Sequence, residues 1–496
     1  MLSPLPAPAA RELRRRLLDA GYSEHGLLAA FGVNQPPAPQ SRSAPRLLYL
    51  TREPTALNVL ARWFLLGTDV EAEAAEGVLP ASVVETCLGG GLIERVGETL
   101  SARAVIAPHG SLLIASDSFR QLASAEGSEH VLGLNPTAQY LLNFTVRRPA
   151  GETLDLCSGS GIQGLTAASH SRQVVCADVS ARAAGFAAFN ARLNAIENVE
   201  YVTGDRFEPL AGRTFDLIVC NPPFVLAPSR EYVYRDNPLE LDAFVRDLVR
   251  SAPTHLRPGG LFQMVCEWVE VEGEPWTDRL RVWLEGRGCD AWVLHDYAQD
   301  PSLYAQTRLR ESLPVSEAAD AESYARWMAH YRAHRVRTIH GGLIAMRRRA
   351  GGNWLRVEDL SGGFTEPFGE AVLQGFEARD FLARHADDDG ATLALRPRIH
   401  PDCRLGQEHW RTEDGWSPQP LRLRQGSGLR RGINVDASVA GFLGGFDGAR
   451  TVREAIAELA GQADAEPAQV QTEALAVIRR MLDLGFLLLP DASSVD

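Results

Sequence analysis

A chain of 496 residues with 45% hydrophobic and 23% charged content has the composition of a globular protein with room for two to four domains. No uninterrupted apolar run is long enough to span a bilayer, and the N-terminus carries no apolar segment followed by a cleavage site, so a cytoplasmic protein without membrane attachment is expected. The net charge of −13 disfavours long-range attraction to nucleic acid while leaving room for local basic patches, and 7 cysteines without a Cys-x-x-Cys pair suit reduced thiols and no metal site.

Residues 1–130 read as a first domain. Helical patterns cover 9–20 and 21–32, and a Pro/Ser-rich loop follows at 36–45. Residues 55–66 put Leu57, Leu60, Trp63 and Phe64 on one helical face, and 80–89 is a further helix. Residues 92–95 and 105–106 are expected to pair as a hairpin. The order helix, helix, hairpin is winged-helix-like. The segment 131–148 then leads into a second domain, 131–350. Asn135, Pro136 and Thr137 form its turn, with Thr137 expected to cap a helix over 138–144 and to stand near a ligand.

The second domain holds the stretch that carries chemistry. A short apolar run, 153–157, suits a buried parallel strand and ends in Ser158-Gly159-Ser160-Gly161 before a helical pattern. Glycines there let the backbone turn sharply and approach a ligand, and the helix beyond offers free N–H groups. A glycine turn alone is shared by many nucleotide enzymes. A second strand, 173–177, ends at Asp178, about 20 residues on, where an acidic side chain reaches ribose hydroxyls in doubly wound sheets. Gly204-Asp205-Arg206 closes a third strand. The fourth, 215–220, runs into Asn221-Pro222-Pro223-Phe224. Two prolines remove two N–H donors and fix φ twice. The Asn221 side-chain oxygen and the Pro222 carbonyl can then both accept from one NH2 group, and Phe224 offers a flat face for a planar amide or base.

A polar, aromatic loop with Tyr232, Tyr234 and Arg235 follows, at the end of the strand where open sheets bind ligands. After a helix at 239–251 and a turn at 255–260 come strands at 261–268, 292–297 and 342–346. This makes an expected seven-stranded sheet with one antiparallel strand. An insertion at 299–340 carries Tyr324, Arg326, Trp327, Tyr331, Arg332, Arg335 and Arg337, which suits either a phosphate backbone with stacked bases or a lid helix with its aromatics packed inward. Residues 351–425 read as a small β-rich segment. Residues 426–496 again follow a winged-helix-like order: a helix from Asp436, a second capped by Thr451, a third from Pro467 and a strand at 486–489.

Asp155, Gly159, Gly161, Asp178, Asp205 and the Asn-Pro-Pro-Phe tetrapeptide resemble the class I S-adenosylmethionine-dependent N-methyltransferases of the "small" methyltransferase domain group. That group includes release-factor glutamine, rRNA guanine-N2 and adenine-N6 enzymes. The resemblance covers about residues 131–348. It implies an α/β Rossmann-like methyltransferase core with winged-helix-like flanks, and S-adenosyl-L-methionine as cofactor. The implied cofactor contacts are Asp155, Cys157, Ser158, Gly159, Gly161, Asp178, Asp205, Arg206 and Asn221. The implied catalytic residues are Asn221, Pro222, Pro223 and Phe224, with Thr137, Phe224, Tyr232 and Tyr234 on the substrate. Cys157 and Ser158 stand where members of the group often have Gly and a small or Cys residue. The expected partner is a macromolecule: most directly an exocyclic amino group of a nucleic-acid base, alternatively a protein glutamine or lysine. A small molecule and a binding-only domain stand behind these, and the oligomeric state is not set by the sequence.

Overall fold

The computed structural model describes residues 2–33, 44–118, 127–310, 317–360, 366–462 and 466–490. The chain divides into two compact units, residues 1–142 with 148–359, and residues 143–147 with 360–496.

The first unit is built on one sheet. Its strands are β1 (Ala150–Leu156), β2 (Ser171–Asp178), β3 (Val199–Thr203), β4 (Phe215–Cys220), β5 (Leu256–Val271), β6 (Cys289–Gln299), β7 (Val336–Arg348) and β8 (Leu355–Asp359). Their spatial order is β3-β2-β1-β4-β5-β7-β6-β8. The first five strands in the chain pair in parallel. Strand β7 is antiparallel to both neighbours, and β8 is parallel to β6. The sheet is therefore mixed and eight-stranded rather than seven-stranded. The extra strand comes from residues expected to open the β-rich segment. The inner strands are apolar runs because both faces are covered: Leu154, Val175, Ile218, Phe262 and Met264 are fully buried.

The chain leaves β1 toward β2 and β3 on one side and returns to β4 on the other, so the order of the strands reverses between β1 and β4, the place where open sheets of this kind bind ligands. The flanking helices are α1 (Pro136–Phe144), α2 (Ile162–Ala167), α3 (Ala181–Leu193), α4 (Ala243–Ser251), α5 (Trp276–Leu284), α6 (Pro301–Arg310) and α7 (Glu317–Ala333). The turn expected at 255–260 lies mostly inside β5, whose pairing with β4 shifts between Leu256 and Leu261 around Gly259, at φ +81°.

The N-terminal part of this unit packs its helices around Trp63 and Phe64, both fully buried, with a π-helical turn, Ala61–Leu65, where an α-helix was expected to continue. Strand Val70–Glu71, helices Ala72–Val78 and Ala81–Gly89, and strands Ile93–Val96 and Thr99–Ala102 follow in order. The expected pairing of 92–95 with 105–106 is not made. Ile93–Val96 pairs with Thr99–Ala102 across a short turn at Gly97 (φ +61°), and Ala104–His109 pairs with Leu112–Asp117. Most of the expected 36–45 loop lies outside the described residues; its last two positions begin helix Ala44–Leu50.

The second unit gathers Phe442, Phe446, Val452, Ile478, Leu482 and Phe486 into one core. Asp436 caps its helix through Val439 N–H at 2.8 Å, and Thr451 and Glu454 satisfy each other's backbone N–H groups. Residues 351–425 include helices Gly369–Arg384 and Asp389–Ala394 as well as strands. Val372, Leu373 and Phe376 recur at helical spacing and are buried, and Asp388 caps Ala391 N–H, so helix takes two parts of a segment expected to be β-rich.

Candidate active site at the carboxyl ends of the sheet

Strand β1 ends in a turn with three left-handed residues: Cys157 (φ +60°), Gly159 (φ +52°) and Gly161 (φ +80°). A Cβ on Gly161 would lie 2.9 Å from that of Ala187 on α3, so helix and turn meet only through glycine. A Cβ on Gly159 would meet nothing within 4 Å, so that side of the turn is open. Asp155 lies near the end of β1. It is buried and accepts from Gly164 N–H of α2 at 2.8 Å, and burial pushes its carboxyl well above the usual range. Asp178 spans the gap to the turn, accepting from Gly159 N–H at 2.9 Å and Ser180 N–H at 2.9 Å; burial raises its carboxyl against those donors. Ser158 is 7% exposed, and among the described residues its hydroxyl oxygen has no partner. The same holds for the Gln163 side-chain oxygen, whose amide nitrogen donates to the Ala138 carbonyl at 2.8 Å.

Asn190 was not evident from the sequence. Fully buried on α3, it donates to the Ser160 carbonyl of the turn at 2.9 Å and exchanges two hydrogen bonds with Ala115 of the preceding hairpin. Asn194, one helical turn on, does the same for Leu113. An i, i+4 pair of asparagines on an otherwise Ala-rich helix is the signal that could have marked them. At the end of β3, Asp205 receives Arg206 at 2.8 Å, and the Arg206 guanidinium sits 5.7 Å over the Phe244 ring.

Asn221 follows β4 at the level where Leu156 pairs with Cys220, so the tetrapeptide stands beside the glycine turn. Among the described residues, neither the Asn221 carboxamide nor the Pro222 carbonyl takes part in a hydrogen bond. Phe224 is half-buried between two apolar clusters. Beyond it the chain is held closely. Leu226 N–H donates to Tyr304 of α6 at 3.2 Å, and Tyr331 of α7 donates to the Leu226 carbonyl at 2.9 Å. Tyr304 in turn donates to Glu267 of β5, a 1% exposed carboxylate that also receives Tyr297 at 2.6 Å and Arg308.

The aromatic loop is zipped to the same corner by Val225 N–H on Arg235 and Asn237 N–H on Val225. Tyr232 and Tyr234 lie 5.7 Å apart, Tyr234 is 5.3 Å from His130, and Arg235 stacks 4.8 Å over Tyr232. The expected cap at Thr137 is instead supplied by Asn135, which accepts Ala138 N–H at 2.8 Å and places Pro136, with no N–H to lose, first in the helix. Thr137 therefore lies within the first turn of α1. In the insertion, Trp327 and Tyr331 face inward, while Arg335 and Arg337 pair with Glu272. Among the described residues, no group of His, Cys, Asp and Glu is arranged to hold a metal ion, and no helix is long and apolar enough to cross a membrane.

Residues 132–270 match the family described as Methyltransferase small domain, and residues 373–489 and 19–104 each match a domain of unknown function. The chain is 37% identical over 127 residues to the release factor glutamine methyltransferase of Xylella fastidiosa (strain 9a5c), covering 23% of this chain and 46% of that one. It is 38% identical over 141 residues to the ribosomal protein uL3 glutamine methyltransferase of Xanthomonas campestris pv. campestris, covering 25% and 44%. It is 32% identical over 128 residues to the ribosomal RNA small subunit methyltransferase C of Alcanivorax borkumensis, covering 26% and 35%. The chain thus spans less than half the length of each of these relatives.

Proposed function

We propose that this chain, which carries a methyltransferase small domain over residues 132–270, is an S-adenosyl-L-methionine-dependent N-methyltransferase acting on a planar NH2 group. The observation that carries the reading is the pair of unengaged acceptors, Asn221 and the Pro222 carbonyl, fixed beside Phe224 and next to the open side of the glycine turn. The residues present fit the cofactor: the Ser158 hydroxyl is buried with no partner among the described residues, the turn is open at Gly159, and a carboxylate stands at the end of β2. When bound, S-adenosyl-L-methionine supplies an electrophilic methyl group. Cys157, Ser158, Gly159 and Gly161 would line its site, with Asp178 toward its ribose and Asp205 and Arg206 at the outer end. Asp155 supports the turn from behind.

The chain's own work is positional. Asn221 and Pro222 accept the two N–H groups of the substrate, and Phe224 holds its plane. The nitrogen lone pair is thereby directed and the positive charge that develops on nitrogen is stabilised. Water can accept the released proton. Tyr232 and Tyr234 border the entry, with Thr137 in the neighbouring helix.

The substrate we assign is an exocyclic amino group of a nucleic-acid base, with the flanking regions as winged-helix-like readers in a cytoplasmic enzyme. A protein glutamine is the second reading, favoured by the two glutamine methyltransferases that match at 37% and 38% identity. Labelled cofactor incubated with the protein and host lysate tests both. Label lost on nuclease treatment supports the first reading, label lost on protease treatment the second, and no macromolecular label rejects both.

A further inference from the structure

The second unit carries a surface that nothing above uses. Strands Cys403–Gly406, Leu421–Gln425 and Gly432–Val435 form a small antiparallel sheet. Leu423 packs inward, while Arg404, Arg422 and Arg424 are exposed. Arg404 stands directly opposite Arg424, a like-charge pairing that costs stability when nothing lies between. A Cβ on Gly432 would lie 3.2 Å from Arg422 and 3.4 Å from Arg424, so a glycine leaves both side chains room on that face. Arg424 reaches Glu408 at 3.5 Å, whereas Arg404 and Arg422 have no partner among the described residues.

Two of the strands continue into the ribbon His409–Thr412 and Gly415–Pro418, joined at its base by Gln419 N–H on the Glu408 carbonyl and the Gln407 amide on the Gln419 carbonyl. Trp410 is 62% exposed and Trp416 70% exposed. The ladder sets Trp410 across from Ser417 and Trp416 across from Arg411, so the two indoles lie on opposite faces of the ribbon, and among the described residues neither stacks on another ring. Two exposed indoles on a ribbon that continues from the strands bearing Arg404 and Arg422 match the chemistry of a flexible polyanion with flat bases, with Glu413 and Asp414 confined to the ribbon's turn.

We infer that this arm is a binding surface for single-stranded nucleic acid, with Trp410 and Trp416 as stacking platforms and Arg404 and Arg422 as phosphate contacts. The inference rests on the reading of the chain as a modifier of nucleic-acid amino groups. It is tested by fluorescence anisotropy on the full chain without cofactor, using labelled oligouridine and oligothymidine of about 16 nucleotides. W410A/W416A is expected to weaken binding by at least about tenfold. R404E/R422E should weaken binding and reduce the slope of log affinity against log salt by about 1.4. The exposed sites make loss of folding avoidable; the melting temperature checks it, and the charge reversal stands as a second, independent variant. Binding of the RNA alone or of both oligomers supports the inference and distinguishes the sugar. Absence of binding, binding by both variants as tight as that of the wild type, or preference for a polyglutamate peptide overturns it. Because methyl transfer is not read, a dead enzyme that still binds the oligomer refutes the proposed activity and leaves this surface standing.

Discussion

Tyr331 donates its phenol hydrogen to the carbonyl of Leu226 at 2.9 Å, tying an inserted helix to the residue two beyond Phe224. Tyr304 takes the N–H of the same residue at 3.2 Å, so Leu226 is gripped on both sides. Removing one phenol leaves a buried backbone group unpaired. Tyr331→Phe is expected to lower stability by about 1–3 kcal/mol and turnover by about tenfold, with cofactor affinity unchanged. Urea unfolding, kcat and calorimetry check this; unchanged kcat would show that the clamp serves folding alone.

Asn221 has no partner within the described chain, so its removal should disturb little but the substrate. Asn221→Ala should reduce kcat by about 100- to 1,000-fold. Cofactor affinity should stay within about threefold and the melting temperature should hold. A near-normal rate would refute the assigned corner.

Cys157 holds φ +60° in the turn, a conformation that costs a non-glycine residue about 1–2 kcal/mol. Cys157→Gly should therefore be neutral or stabilising by up to about 1 kcal/mol, and Cys157→Val, with a branched Cβ, destabilising by about 2 kcal/mol. Thermal melts of the two variants give the comparison. The opposite ranking would mean that side-chain packing at this position outweighs the backbone term.

Burial lowers two imidazoles, His130 and His340, from 6.5 to about 4. His340 also faces His295, whose other ring nitrogen holds Asp359 at 2.6 Å, and Glu270 lies 3.9 Å from it. Both histidines stay neutral in the folded chain while the unfolded chain takes up protons. Stability is therefore fully present above pH about 6.5 and falls as pH drops toward about 4. His340→Gln should remove part of that slope, on the order of 2 kcal/mol between those limits. Urea unfolding at several pH values measures it; parallel slopes in wild type and variant would contradict the burial effect.

The parts of the proposed site that could be read from the sequence are those with short-range causes. Gly159, Gly161 and the two prolines act on their own backbone, and Asp178 and Asn221 are placed by the strands they end. What was hidden depends on distant partners. Asn190 matters only because the Ala115 hairpin and Ser160 meet it, and Tyr304 and Tyr331 only because Leu226 does. The tie between Asp155 and Gly164 N–H likewise joins the end of one strand to the helix that follows it. Strand β8 was passed over because its residues are all half-buried or exposed, with no apolar run to mark them. Asn135 took the cap from Thr137 because Pro136 fits best as the first helical residue.

That overlooked strand bears on where this chain can be cut. Five residues, Leu355–Asp359, cover the open backbone of β6 from Ala291 to His295, and the Trp354 carbonyl takes the Ala291 N–H. A fragment ending at residue 350 would bare that row of donors and acceptors, with Trp292 and Leu294 behind it, and would be sticky toward other copies. A fragment ending after residue 359 would keep the margin sealed.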